Sequence, residues 1–165
     1  MTLRIPRSFA DEIIRRAREH APDECWGMLA GEGGRVQGIF HLENGAPPDE
    51  KPFRYETEFR SQAAAERSMV QQGWDVLGIY HSHTHTQPYP SPTDIERANP
   101  LYGDIVYLIV SLRYPGQPFA FRGMSDAERD AAREFARTKP RNAELRGWYI
   151  RDGRAEPADV RIVRG

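Results

Sequence analysis

Two histidines, a serine and an aspartate form the most informative spacing in the sequence. One residue separates His81 from His83, seven residues lie between His83 and Ser91, and two lie between Ser91 and Asp94. Alternate side chains of a strand share a face and lie about 6.6 Å apart, so both imidazoles can reach one ion. A turn after the strand would bring Asp94 back as a third ligand. Two imidazoles and a carboxylate leave the fourth position of a tetrahedral Zn²⁺ site open to water, as in catalytic sites.

The same residues have an explanation that needs no metal. Ser91 followed by Pro92 is a strong helix start, with Ser91 as the N-cap and Asp94 as the third helical residue. The two explanations are compatible, because a cap would hold the side chains in the orientation that ligation requires. A site of three histidines is conceivable if the strand continues to His85, but Pro88 indicates that the strand is ending.

The spacing resembles the signature of the JAMM (MPN+) metallopeptidases, which cleave isopeptide or peptide bonds at the C-terminus of ubiquitin-like proteins. That family also has a glutamate at the head of its first apolar strand, in a Pro-x-Glu-x-x-Gly context, and residues 22–31 match this context at Glu24. The resemblance continues to about Arg122. Within the family the sequence is most similar to the small bacterial Mec-type enzymes, which release cysteine from a sulfur carrier protein.

The resemblance implies a role for each residue of the motif. His81, His83 and Asp94 would hold Zn²⁺, which lowers the pKa of a bound water to about 7. Glu24 would act as the general base, and the alternative is an ordinary surface glutamate. Ser91 would donate a hydrogen bond to the oxyanion, unless its hydroxyl serves only the helix cap. The implied partner is a ubiquitin-like sulfur carrier protein that ends in Gly-Gly.

Composition excludes several other classes of function. The net charge is −1, from 23 basic and 24 acidic residues, so we expect no nucleic acid or anionic membrane as partner. The apolar runs are far shorter than the roughly 20 residues of a membrane helix, and the N-terminus does not resemble a signal peptide. We therefore expect a cytoplasmic protein. Cys25 is the only cysteine, which excludes a disulfide within the chain and the cysteine-ligated site of a zinc deaminase.

Alternating helical and apolar segments predict an α/β fold, in which a mixed, curved sheet is flanked by helices in a single domain of residues 1–165. The resemblance implies an architecture related to that of cytidine deaminases. The predicted helices are Ser8 to about His20 with a capping box at Ser8 and Asp11, Phe59 to about Gln72, Ser91 to Ala98, and Ser125 to Lys139. The predicted strands are Cys25–Ala30, Val36–Leu42, Val76–Tyr80 with a polar end, Ile105–Leu112, Phe119–Arg122, Tyr149–Ile150 and Val160–Val163.

Three further points concern the inserted segment, the single cysteine and the alternative functions. The charged segment at 125–142 is an insertion relative to similar proteins, and its role and the oligomeric state are not predicted. Cys25 is expected to be buried and inert rather than the nucleophile of a thiol protease. Two alternatives to cysteine release are a deconjugase that removes a ubiquitin-like modifier from protein lysines and a non-catalytic binding scaffold of the same fold.

Overall fold

One mixed sheet of eight strands forms the centre of the protein. The computed structural model describes residues 1–112, 125–127, 130 and 143–165. In chain order its elements are β1 (Leu3–Pro6), α1 (Arg7–His20), β2 (Trp26–Glu32), β3 (Arg35–Leu42), α2 (Phe59–Gln71), β4 (Asp75–His83), α3 (Pro92–Arg97), a 3-10 turn (Pro100–Tyr102), β5 (Val106–Ser111), β6 (Glu144–Arg151), β7 (Arg154–Pro157) and β8 (Val160–Val163).

The strands lie in the order β7-β6-β5-β4-β2-β3-β1-β8. β4 pairs with β5 in parallel, and β1 pairs in parallel with both β3 and β8, whereas the remaining pairs are antiparallel. The sheet is therefore mixed, and the predicted α/β class is confirmed. The two histidines of β4 lie beside β5 on one side and beside the beginning of β2 on the other.

Helices on both faces of the sheet explain why its central strands β2 and β5 are almost completely buried. Ile13 and Ala17 of α1 are completely buried in a cluster on one face, and Met69 of α2 is buried in a second cluster that includes Trp26 and Ile79. β2 lies between β3 and β4 and is buried along all but its last residue. None of the helices within the described ranges has the length and hydropathy needed to cross a bilayer.

The predicted start of the first helix is wrong. The helix begins at Arg7 and its N-cap is Pro6, so Ser8 lies inside the first turn and no side chain caps this end. Pro6 also ends β1, and its fixed φ lets the chain pass directly from a strand into a helix. The predicted end near His20 is confirmed.

The sheet contains more strand residues than the sequence predicts. The strand predicted at Tyr149–Ile150 extends over the whole of β6, and β1 and β7 were not predicted. β7 is an edge strand of four largely exposed residues, which gives no clear apolar alternation. The predicted strand Phe119–Arg122 lies outside the described residues, and so does most of the predicted helix Ser125–Lys139.

Gly27 shows why the apolar strand after Glu24 carries a glycine. A Cβ atom at this position would lie 2.4 Å from the carbonyl oxygen of Phe40 and 2.5 Å from the ring of Tyr80. The first contact is with backbone of the neighbouring strand, which cannot rotate away. The close approach of β2 to β3 and β4 therefore requires a residue without a side chain.

Replacing Gly27 by Ala is expected to reduce the free energy of unfolding by about 1–3 kcal/mol, the usual cost of overpacking. Gly45→Ala is the matched control, because a Cβ there makes only an ordinary contact with Glu56 at 3.4 Å. Urea unfolding followed by tryptophan fluorescence measures both variants. Equal stability of the two variants would contradict this account of Gly27.

Candidate metal centre

His81, His83 and Asp94 converge on one small volume. The Nε2 atoms of the two histidines are 3.0 Å apart, and Oδ2 of Asp94 lies 3.4 Å from His81 Nε2 and 3.3 Å from His83 Nε2. Ligand atoms about 2.0–2.1 Å from a tetrahedral zinc ion are about 3.3 Å from one another. The three ligand atoms thus have the spacing that a single Zn²⁺ requires, and all three side chains are at least nine-tenths buried.

The register of β4 holds both histidines on the same face. Ser82, the residue between them, points to the other face, where its hydroxyl accepts a hydrogen bond from the backbone N–H of Cys25 at 2.8 Å. The backbone N–H of Ser82 donates in return to the carbonyl of Cys25 at 2.9 Å. This reciprocal pair joins β4 to the segment that carries Glu24. The strand ends at His83, so His85 lies beyond it and outside the ligand cluster.

Asp94 is held by a capping box at the start of α3. Its Oδ2 accepts from the backbone N–H of Ser91 at 2.7 Å, while Ser91 Oγ accepts from the backbone N–H of Asp94 at 3.1 Å. The predicted cap is confirmed. Because Ser91 Oγ uses only a lone pair in the cap, its O–H remains able to donate to another group. Burial by itself would raise the pKa of Asp94, but the two neighbouring imidazoles together lower it well below its usual value.

The loop between β4 and α3 orients His83. Nδ1 of His83 lies 3.0 Å from the carbonyl oxygen of Gln87, which places the proton on Nδ1 and leaves the lone pair of Nε2 available to a metal ion. The loop is in turn fixed from the sheet, where Ser111 Oγ donates to the carbonyl of Thr86 and Trp148 Nε1 donates to that of Pro88. Neither Ser111 nor Trp148 belongs to the motif, and nothing in the local sequence assigns them to the site.

Glu24 is buried beside this cluster and only 5% exposed. Among the described residues its Oε2 has no hydrogen-bond partner, which is a costly state for a buried carboxyl group. Burial raises the pKa of Glu24 well above its usual value, and the negative charge of Asp94 raises it further. The surface location that was the alternative for Glu24 is therefore excluded. An unpaired carboxyl oxygen next to three converging ligand atoms suits a site that takes up a cation and a water molecule.

Asn44 fixes the backbone around Glu24. Its side-chain N–H₂ donates to the carbonyls of Glu24 and Arg54, both at 3.0 Å, and its Oδ1 accepts from the backbone N–H groups of Ala46 and Glu56 at 2.9 and 3.1 Å. One amide thus makes four hydrogen bonds to backbone on both sides of a long loop. Asn44 lies in the region of family resemblance, but its pairing with Glu24 follows only from the structure.

Cys25 is buried, as expected, and burial is the main cause that raises the pKa of its thiol to about 11. At neutral pH the thiol is therefore almost entirely protonated, and the thiolate that a thiol protease needs is absent. The prediction that Cys25 is buried is confirmed, and its environment favours the predicted inertness.

Comparison with known proteins identifies the family. Residues 6–137 match a family model described as prokaryotic homologues of the JAB domain, which covers most of the chain. The chain belongs to this family. The resemblance inferred from the histidine and aspartate spacing is thereby confirmed.

Three curated relatives of this JAB-domain protein are named as enzymes. The CysO-cysteine peptidase of Mycobacterium tuberculosis is 33% identical over 111 residues, which cover 67% of this chain and 74% of that protein. A desampylase of Haloferax volcanii is 36% identical over 107 residues, or 61% of this chain and 74% of that protein. A probable TtuB-protein conjugate cleaving protease of Thermus thermophilus is 30% identical over 99 residues, which cover 59% of this chain and 64% of that protein.

Two solved structures share the JAB-domain fold seen here. A Desulfitobacterium hafniense protein has a TM-score of 0.73 at 21% identity and is matched over 99% of this chain and 94% of its own. A Salinibacter ruber protein has a TM-score of 0.55 at 24% identity, and the match covers 99% of this chain and 92% of that protein. At these identities the similarity concerns the fold alone.

We expect this JAB-domain protein to bind about one zinc ion per chain through the three converging side chains. His83→Ala is expected to weaken zinc affinity by more than about 100-fold, since loss of a ligand exceeds the usual cost of losing a residue that orients one. Competition with a chromophoric chelator measures the affinity, and elemental analysis gives the stoichiometry.

Two variants serve as controls for the zinc measurement. His85→Ala tests the three-histidine alternative and should leave zinc binding unchanged, as should His20→Ala in α1. Full zinc occupancy in a variant that lacks both His81 and His83 would overturn the assignment.

Proposed function

We propose that this protein is a zinc-dependent peptidase that hydrolyses the bond after the C-terminal Gly-Gly of a ubiquitin-like sulfur carrier protein and releases cysteine. The observation that carries this proposal is the tetrahedral spacing of the three ligand atoms beside the buried, unpaired carboxyl oxygen of Glu24. The activity of the relatives supports it, because one of them is a CysO-cysteine peptidase.

The proposed reaction is a simple hydrolysis of an amide. The bond between the terminal glycine carbonyl and the amine of cysteine breaks, water supplies OH to the glycine carboxyl group, and the remaining proton goes to the amine. A zinc ion held by His81, His83 and Asp94 would supply Lewis-acid activation of the water and of the scissile carbonyl.

Glu24 would transfer the proton of the attacking water, and Ser91 would stabilise the negative charge that develops on the carbonyl oxygen. Glu24 takes a proton from the attacking water and returns it to the leaving amine. The O–H of Ser91, which the helix cap leaves available, donates to the oxyanion. Both groups lie on rigid parts of the site, because their backbones are fixed by Asn44 and by the capping box.

A second function has support from the relatives. The Haloferax volcanii desampylase and the Thermus thermophilus conjugate cleaving protease are similar in identity to the CysO-cysteine peptidase. A deconjugase that releases a modifier from protein lysines would use the same ligands and the same base. By contrast, a binding scaffold has no use for a buried, unpaired Glu24, which lowers stability without contributing to a binding surface.

Glu24→Gln is expected to reduce kcat by about 10²–10⁴-fold, because glutamine keeps the shape of the side chain but cannot take up the proton of water. Zinc content should stay at the wild-type value, and both quantities are measured on the same preparation. Asp23→Asn is the matched control at the neighbouring position and should leave kcat unchanged. Loss of zinc in Glu24→Gln would show that Glu24 is a ligand, and unchanged turnover would exclude it as the base.

Because the proposed ligands are buried, we expect the substrate tail to need small residues next to the scissile bond. Glycine lets a backbone approach a metal closely, and His81 and His83 are only 1% and 4% exposed. We expect cleavage of a carrier that ends in Gly-Gly-Cys and a decrease of at least about 10-fold in kcat/KM when the penultimate glycine is replaced by valine. Mass spectrometry of the carrier before and after incubation measures this.

A lysine-linked conjugate of the same carrier completes the comparison. Rapid hydrolysis of the lysine conjugate alone would favour the deconjugase. Equal rates for glycine and valine at the penultimate position would contradict the expectation that only a tail of small residues reaches the metal centre.

A further inference from the structure

A polar cavity of about 320 Å³ lies directly beside the proposed metal ligands. Thr93, Asp94 and Arg97 of α3 form one of its walls, and Tyr55, Tyr107 and Asn99 lie on other sides. Asp94 therefore belongs both to the metal centre and to the cavity wall. Any group bound in this cavity would lie next to the bond that the proposed reaction breaks.

Aromatic rings connect the cavity to the metal centre. The ring of Tyr55 stacks on Trp26 at a centroid distance of 5.2 Å and packs against the imidazole of His81 at 5.0 Å. Tyr55 and Trp26 both line the cavity, whereas His81 is a proposed ligand. The cavity and the ligand cluster thus share a wall of aromatic side chains.

The cavity contains two arginines with different environments. Arg54 binds Glu50 and Glu56 through close ion pairs, so two carboxylates surround its charge. Arg97 contacts Glu56 at 3.4 Å, which is longer than the 2.7–2.9 Å of a strong charge-assisted bond. Glu56 is already bound to Arg54, and the side chain of Arg97 is 51% exposed. Arg97 is therefore the cation of this cavity that can turn towards an incoming anion.

The position of Arg97 on α3 sets its distance from the metal centre. Arg97 follows Asp94 by three residues, and residues at this separation on a helix have Cβ atoms about 5–6 Å apart. In an α-amino acid the carboxylate carbon lies about 2.5 Å from the amine nitrogen. When that nitrogen is part of the scissile amide, the carboxylate lies within reach of the Arg97 guanidinium.

We propose that Arg97 binds the free α-carboxylate of the amino acid that leaves the carrier, through the planar, two-point contact that guanidinium groups make with carboxylates. This inference rests on the proposed function and specifies its leaving group. A lysine side chain bears no charge near its amide nitrogen, because four methylene groups separate Nζ from Cα. Arg97 therefore favours a free amino acid over a protein lysine.

Substrates that differ only in this charge test the proposal. A carrier ending in Gly-Gly-Cys is compared with the same carrier whose terminal carboxylate is a carboxamide. We expect kcat/KM to be about 10–100-fold higher for the acid, the range for a hydrogen bond to a charged group. Arg97→Gln should bring the acid-to-amide ratio close to one, and Arg97→Lys should restore part of the preference.

Arg67→Gln is the matched control, because Arg67 is an exposed arginine of α2 outside the cavity. It should keep the wild-type acid-to-amide ratio. Zinc content is measured for every variant, and Arg97→Gln should retain it. An acid-to-amide ratio near one in the wild type, or a ratio unchanged by Arg97→Gln, would overturn the assignment of Arg97 while leaving the proposed function intact.

A binding measurement separates this inference from the proposed function. The probe is acetyl-Gly-Gly-S-methylcysteine as free acid and as amide, in which methylation prevents a thiol from binding zinc. Calorimetric titration uses the zinc-loaded Glu24→Gln protein, alone and combined with Arg97→Gln. Tighter binding of the acid that disappears in the double variant supports the subsite even if the wild type hydrolyses no carrier. Equal binding of acid and amide overturns it.

Discussion

A single oxygen atom, Oδ2 of Asp94, joins the end of β4 to the start of α3. It accepts the backbone N–H of Ser91 in the capping box and lies within 3.4 Å of both histidine Nε2 atoms. If the cap were absent, the carboxylate could rotate away from the imidazoles, and if β4 shifted by one residue, the imidazoles would point to the other face. The position of α3, and with it the cavity wall formed by Thr93 and Arg97, therefore depends on the contacts of this atom.

The charges in the site explain why a bound cation would stabilise it. Glu24 and Asp94 are two carboxyl groups in one buried region, and the raised pKa of Glu24 reflects both burial and the charge of Asp94. Buried carboxylates are unstable unless they are paired or coordinate a metal. A divalent ion between Asp94 and the two imidazoles would reduce this penalty. The histidines lie in the central part of the sheet, where β5 is buried along its whole length and β2 along all but its last residue.

The predictability of each part of the structure depended on whether its determinants are local. The helix cap at Ser91, the strand through His81 and His83, and the buried strand after Glu24 were predicted, because each is encoded in a few adjacent residues. β1 was missed because its four residues form a strand by pairing with the distant β3 and β8, and β7 was missed because its four largely exposed residues show no apolar alternation. The cap at Ser8 was wrong because Pro6, two residues before it, already sets the start of the helix. The hydrogen bond of Trp148 to Pro88 and the ring contact of Tyr55 with His81 join segments far apart in the chain, and no local pattern marks them.

The four hydrogen bonds of Asn44 connect the backbone of Glu24 to the loop that follows β3. The N–H₂ group donates to the carbonyls of both Glu24 and Arg54, and Oδ1 accepts from Glu56, so one amide ties the backbone of Glu24 to a segment that forms part of the cavity wall. Between these anchors the chain runs through a loop at the surface, where insertions and substitutions are tolerated. Changes of length or sequence in that loop can reshape the cavity while the base and the metal ligands keep their positions. A duplicated copy of this chain could thus come to accept a substrate with a different leaving group through changes in one loop, while the proposed base and metal ligands stay the same.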